Sequence, residues 1–267
     1  MFNIFAGLDK LGFTQTPEPD AVFNPNKAEK SKKKDAEAEE LDIAQYVLLK
    51  KRLCPVCNKI FSDVMLRKVK CRFLHIDSDL RARYHPFDPI YYDVILCHFC
   101  GYTAMHSHFD QISEKQTDLI FDAVNPQYQY KEYPLMLSAA DAAERYLLAL
   151  LCATIKRVRP SEKAMLCLRL AWLLRDQKEA ERELEFLLFA LQGFELAYEN
   201  ENFPMYGMES ETLCYLIGEL CRRVGRHDDS MRHLSRVITS RSASNRLKER
   251  ARDIRDLIKK QNPEEEL

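Results

Sequence analysis

Cys54-Pro55-Val56-Cys57 and Cys97-His98-Phe99-Cys100-Gly101-Tyr102 decide the reading of this chain. Each is a Cys-x-x-Cys knuckle, and residues 58–96 separate them. Two intervening residues let one tight turn present both sulfurs of a knuckle. Two such turns supply the four soft thiolates that close a tetrahedron around Zn²⁺. The residue after each second cysteine must bend the chain back, so that backbone N–H groups can face sulfur. Gly101 suits that left-handed position, and Asn58 is the next most tolerant residue. The sequence therefore predicts one structural zinc ion held by Cys54, Cys57, Cys97 and Cys100, with no ligand position left for water.

Around the knuckles the text reads as strands. Ile60-Phe61 and then Val64 to Phe73 alternate apolar residues with charges, and Tyr91 to Leu96 runs straight into Cys97. Strand, knuckle, strand, knuckle is the arrangement of a zinc ribbon, in which each knuckle is the turn at a hairpin end.

From residue 114 the period changes to that of helices. Ser113 is placed to cap a helix over 114–124, followed by helices over 138–156, from Pro160, and over 178–199, 209–224, 227–240 and 243–260. Cys214, Ile217, Gly218, Cys221, Gly225, Ser230, Leu234 and Val237 match the spacing of a tetratricopeptide repeat, with a weaker copy from Cys167 to Ala190. The fold class is thus α+β: a small N-terminal Cys₄ zinc ribbon followed by an all-α, tetratricopeptide-like bundle. The corresponding division is a flexible segment and charged linker at 1–41, a zinc-ribbon module at 42–112 and a helical domain at 113–262. An apolar patch lies inside the first of these (Phe2, Ile4, Phe5, Leu8, Leu11, Phe13), and reads as a terminus docking on its own protein or as a partner- or membrane-docking peptide.

Composition narrows the function classes. The 267 residues are 46% apolar and 30% charged, with a formal net charge of −1, so no global bias favours nucleic acid or membrane. Nine cysteines, five of them scattered in apolar segments, make a poor disulfide framework and fit reduced thiols in the cytoplasm. The start of the chain lacks the basic and apolar regions of a signal peptide, and the apolar run at 146–155 is about half the ~20 residues a membrane span needs.

A redox Cys-x-x-Cys needs one pair at a helix start, and neither pair sits there. His106, His108 and Asp110 are a candidate second metal site, against the plainer reading of surface histidines at a strand end. Cys71, Cys152, Cys167, Cys214 and Cys221 read as packing. Asp77 and Asp79 do not form a convincing acid/base couple, and no phosphate loop or nucleophile motif is present. Between residues 45 and 100, ten Lys/Arg face five Asp, with Tyr84, Phe87, Tyr91 and Tyr92 nearby, which keeps nucleic-acid binding open as the alternative function.

The two knuckles, the segment Asp77-Ser78-Asp79-Leu80-Arg81, the segment Asp88-Pro89-Ile90-Tyr91-Tyr92-Asp93-Val94 and Gly218-Glu219-Leu220-Cys221-Arg222-Arg223 together resemble a bacterial domain-of-unknown-function family, number 2225. The likeness runs over residues 50–240. It departs at Asn58, where glycine is usual, and at His98, where proline is usual; neither removes a ligand. The resemblance implies a cytosolic bacterial protein with a metal site. The leading expectation is a zinc-stabilised scaffold without evident catalysis, which binds a protein or peptide partner through its helices. A metal-dependent enzyme using His106, His108 or Asp77 ranks third.

Overall fold

The computed structural model describes residues 43–261. The apolar patch and charged linker expected over 1–41 lie outside the described residues. Three two-stranded antiparallel sheets come first. Strand β1 (Val47–Leu53) pairs with β2 (Ile60–Leu66) in a register from Val47↔Leu66 to Leu53↔Ile60, so the first knuckle is the turn between them. Strand β3 (Arg72–Ile76) pairs with β4 (Ala82–His85), and the loop 77–81 joins them. Strand β5 (Val94–Leu96) pairs with β6 (Thr103–Met105), with the second knuckle at their turn.

Two strand expectations change. The alternation from Val64 to Phe73 breaks after Leu66 into a short 3₁₀ turn, Lys68–Lys70, which keeps Arg67, Lys68 and Lys70 in water while Cys71 is buried. Tyr91 and Tyr92 belong to a second 3₁₀ turn, Pro89–Tyr92, instead of a strand. Pro89 sets its first φ, and the Asp88 carboxylate accepts the Ile90 N–H at 3.1 Å, a local cap that outcompetes extension.

Seven helices follow among the described residues: α1 (Glu114–Ala123), α2 (Ala139–Ile155), α3 (Pro160–Asp176), α4 (Ala180–Asn200), α5 (Ser210–Arg223), α6 (His227–Thr239) and α7 (Asn245–Gln261). The chain is α+β, as its periodicities predict. Ser113 and Ser138 close capping boxes with Gln116 and Asp141, so α1 and α2 begin where their sequences say they should. Helices α3 and α4 run antiparallel and touch closely: a Cβ built on Gly193 would lie 2.8 Å from the Ala164 Cβ. Helices α5 and α6 turn at Gly225, and the Ser230 hydroxyl donates to the Gly218 carbonyl at 2.6 Å.

The described residues lie within one compact unit. One apolar cluster joins Ile90, Val94 and Met105 to residues of α2, α3, α4 and α5, among them Tyr146, Leu168, Phe194 and Ile217. A second gathers the knuckles with Phe61, Phe109, Ile120, Val124 and Cys152. The hairpins are therefore packed onto helices, as two-stranded sheets must be to persist in water. No helix among the described residues is long and apolar enough to cross a membrane.

Candidate metal centre and a buried charge network

The two knuckles are near copies of one another. The Asn58 N–H donates to the Cys54 carbonyl at 3.0 Å and the Gly101 N–H to the Cys97 carbonyl at 2.9 Å. The Cys54 N–H donates to the Lys59 carbonyl and the Cys97 N–H to the Tyr102 carbonyl, at 3.0 and 2.9 Å. Asn58 and Gly101 take φ of 55° and 76°, the left-handed turn expected of them. Gly101 is doubly constrained, because a Cβ there would lie 2.5 Å from the Tyr128 ring.

This brings the four predicted cysteines together. Their sulfurs all lie within 4.8 Å of one another, with Cys54–Cys100 and Cys57–Cys97 each at 3.7 Å. Cys54, Cys97 and Cys100 are buried and Cys57 is partly exposed. Such a set could hold a metal ion. The sulfurs strongly perturb each other's acidity. Hydrogen bonding from Cys100 and then Cys54 draws the Cys97 thiol down to about 2. Cys100 lowers the Cys54 thiol, but Cys97 and burial outweigh it and push the thiol up to about 12. Contacts with Cys54 and Cys97 push Cys100 up as well. Helix α2 buttresses the second knuckle: the Cys152 thiol lies 3.9 Å from the Gly101 carbonyl, and the buried Lys156 ammonium 3.3 Å from the Tyr102 hydroxyl.

The histidines do not join a metal cluster among the described residues. His106 faces the Arg52 guanidinium at 2.9 Å, His108 faces the Ser107 hydroxyl at 2.8 Å, and His75 lies 3.0 Å from Asp77.

A second constellation is one that sequence reasoning set aside. The loop 77–81 inserts into the helices, where Asp79 and Arg81 are almost wholly buried. Arg81 donates to the Trp172 carbonyl (2.7 Å), Asp88 (2.8 Å) and Asp176 (2.5 Å). Asp79 accepts from the Trp172 indole (2.9 Å) and Arg175 (2.6 Å), and Arg223 lies 3.6 Å away. The Ser78 hydroxyl donates to Glu219 at 2.7 Å, which Arg222 and Arg223 also grip at 2.8 Å each. Burial pushes Asp79 upward, but Arg175 and Arg223 outweigh it and hold its carboxyl below the usual range. Burial likewise opposes Asp176, and its bonds to Arg81 and Arg83 outweigh that burial. The network spends its charges on each other, so its chemistry is that of a bolt between hairpin and bundle. One sequence signal could have found it: Glu219 sits among Leu216, Ile217, Leu220 and Cys221 on a helix that buries nearly everything, and a buried carboxylate demands cations.

Paired knuckles on antiparallel hairpins, packed against a helical bundle, define an α+β protein with a cysteine cluster. Residues 48–258 match the model of a family described as an uncharacterized protein conserved in bacteria (DUF2225). The match covers well over half of the chain, and the chain belongs to this family. No curated protein and no solved structure matches it.

Proposed function

We propose that Cys54, Cys57, Cys97 and Cys100 hold one structural zinc ion, and that the protein is a zinc-stabilised interaction module rather than an enzyme. The observation that carries this is the sulfur spacing. A tetrahedron with Zn–S bonds of about 2.3 Å has edges of about 3.8 Å, and two of the sulfur pairs lie at 3.7 Å. Four thiolates fill the coordination sphere, so the ion stabilises the fold and activates no water. The module divides by task into a zinc-ribbon part, 42–112, and a tetratricopeptide-like helical part, 113–262, within the cytoplasm. A protein partner has surface to meet on the helices: a groove of about 560 Å³ lies beside α4, α5 and α6, lined by Glu195, Tyr198, Arg226 and Arg236 among others. Exposed Leu184, Leu188, Phe189 and Leu196 lie along α4.

Native mass spectrometry and metal analysis test the centre. One zinc per chain is expected, lost in Cys97→Ser together with thermal stability. A metal-free chain that melts as the wild type does would sink it.

A second reading, nucleic-acid binding, draws support from one observation. Lys50, Lys51, Lys59, Arg67, Lys68, Lys70 and Arg72 are exposed, while Asp63, the carboxylate in that span, is buried against Arg52. Salt-dependent retention on immobilised RNA or DNA supports it, and no retention at low salt removes it.

A further inference from the structure

The four clustered sulfurs belong to residues that solvent reaches unequally. Cys54 and Cys97 are 0% exposed and Cys100 1%, while Cys57 is partly open. The Cys57 sulfur lies 3.7 Å from that of Cys97, on the other knuckle. Cys54 and Cys100 form the matching pair, also at 3.7 Å. Each of these contacts spans the two knuckles, unlike a redox Cys-x-x-Cys, whose two sulfurs share one turn.

The chain around the knuckles is electropositive. Residues 43–62 and 94–109 contain no Asp or Glu. Lys59, two positions after Cys57, is exposed, and its ammonium stands 5.0 Å over the ring of Phe99 inside the second knuckle. A thiolate that solvent reaches beside a cation is the reactive kind of cysteine, and a buried apolar thiol is inert. Cys71, Cys152, Cys167, Cys214 and Cys221 are of the second kind: all are buried, and burial pushes their thiols up.

We propose that Cys57 is a modification site for hydrogen peroxide, with Cys97 as its resolving partner across the knuckles. The Cys57 thiolate attacks one peroxide oxygen. The O–O bond breaks, a sulfenic acid forms on Cys57 and hydroxide leaves. The Cys97 thiolate, already 3.7 Å away, then attacks the Cys57 sulfur. The S–O bond breaks, a second hydroxide leaves and a Cys57–Cys97 disulfide remains. Two protons from solvent turn the hydroxides into water. Two thiolates have then lost two electrons, and one peroxide has gained them. Metal binds thiolate and not its oxidised form, so this disulfide withdraws two of the four ligands. Release of the ion rests on the zinc reading above; the disulfide rests on the sulfur geometry alone.

The test uses the full, reduced chain, with its zinc content measured before and after equimolar hydrogen peroxide. Dimedone traps sulfenic acid, non-reducing peptide mass spectrometry maps disulfides, and a zinc-sensitive dye follows the ion. Dimedone should label Cys57 ahead of every other cysteine. Without dimedone, Cys57–Cys97 should be the first disulfide, with one zinc released per disulfide and taken up again after dithiothreitol. Cys57→His keeps a zinc-ligating side chain and removes the reachable sulfur. Its release should be at least ~10-fold slower. If that variant folds poorly, labelling and mapping of the wild-type chain decide. First labelling at another cysteine, a first disulfide within either knuckle, or wild-type release in Cys57→His overturns the proposal. A zinc-loaded chain whose thiols survive the peroxide overturns this site and leaves the metal centre standing. A zinc-free chain that forms Cys57–Cys97 does the reverse.

Discussion

At the level of single residues, the knuckle turns and the buried charges respond to substitution for different reasons. Gly101→Ala places a side chain at φ 76° and against the Tyr128 ring. Left-handed strain and overpacking together should cost about 2–4 kcal/mol; a urea midpoint unchanged from wild type would contradict it. Arg81→Met leaves Asp88 and Asp176 with part of their positive charge removed in a buried setting, a loss of about 3–5 kcal/mol. Arg81→Met with Asp176→Leu should recover part of that, since the second change removes a carboxylate left with Arg83 as its one remaining cation. Strict additivity in that double-mutant cycle would show that the two side chains do not act as a unit. The four cysteines and both left-handed turn residues could be picked from the sequence, because spacing and backbone tolerance are local properties. Asp79 and Arg81 could not be, since their partners Trp172 and Arg175 lie more than 90 positions along the chain.

Among elements, the helices were legible and the strands less so. Serine caps, Pro160 at a helix start and the apolar stripes place both ends of six helices, and the start of the one from Pro160, within a few residues of what is observed. Removing the Ser138 side chain deletes the capping box of α2; Ser138→Ala should lower stability by about 1 kcal/mol, read as a shift in thermal midpoint. Gly193→Val forces a branched side chain between α4 and α3, where Ala164 leaves no room, and should cost about 1–3 kcal/mol. A neutral result would mean that the helices can move apart at no expense. Strand boundaries were harder to read. A 3₁₀ turn and a short strand share alternating apolar residues, so Tyr91-Tyr92-Asp93-Val94 reads as one strand until the Asp88 cap and the hydrogen bond from the Tyr146 hydroxyl to the Ile90 carbonyl divide it. The β3–β4 hairpin carries charge where a strand pattern asks for apolar residues, because its loop is held by ion pairs from Asp79 and Arg81.

For the whole molecule, hairpins and helices share apolar clusters and one charge network, so they should unfold together. The pH dependence follows from the depressed carboxyls. A group whose folded pKa is lowered contributes its stability above its unfolded value, about 3.9 for aspartate, and loses it as pH falls through the folded value. Asp79 and Asp176 are both of this kind. Asp63, raised by burial, has the opposite sign and gains on protonation. Urea midpoints should therefore decline below about pH 4, more steeply in wild type than in Asp79→Asn; parallel acid limbs would remove Asp79 from the account.

The sequence by itself determined the α+β class, the helix ends and which four cysteines meet, because caps, periods and Cys-x-x-Cys spacing act over a few residues. Only the tertiary structure decided that Ser78, Asp79 and Arg81 lock into α3 and α5, up to 145 positions away, and that half of one β1–β2 hairpin face, with Leu49, Leu53 and Ile60, stays bare. Both depend on which surfaces the packed helices reach. A buried charge or an uncovered leucine is defined by its distant neighbours; a local pattern can flag one, as Glu219 among apolar residues does, but cannot name its partners.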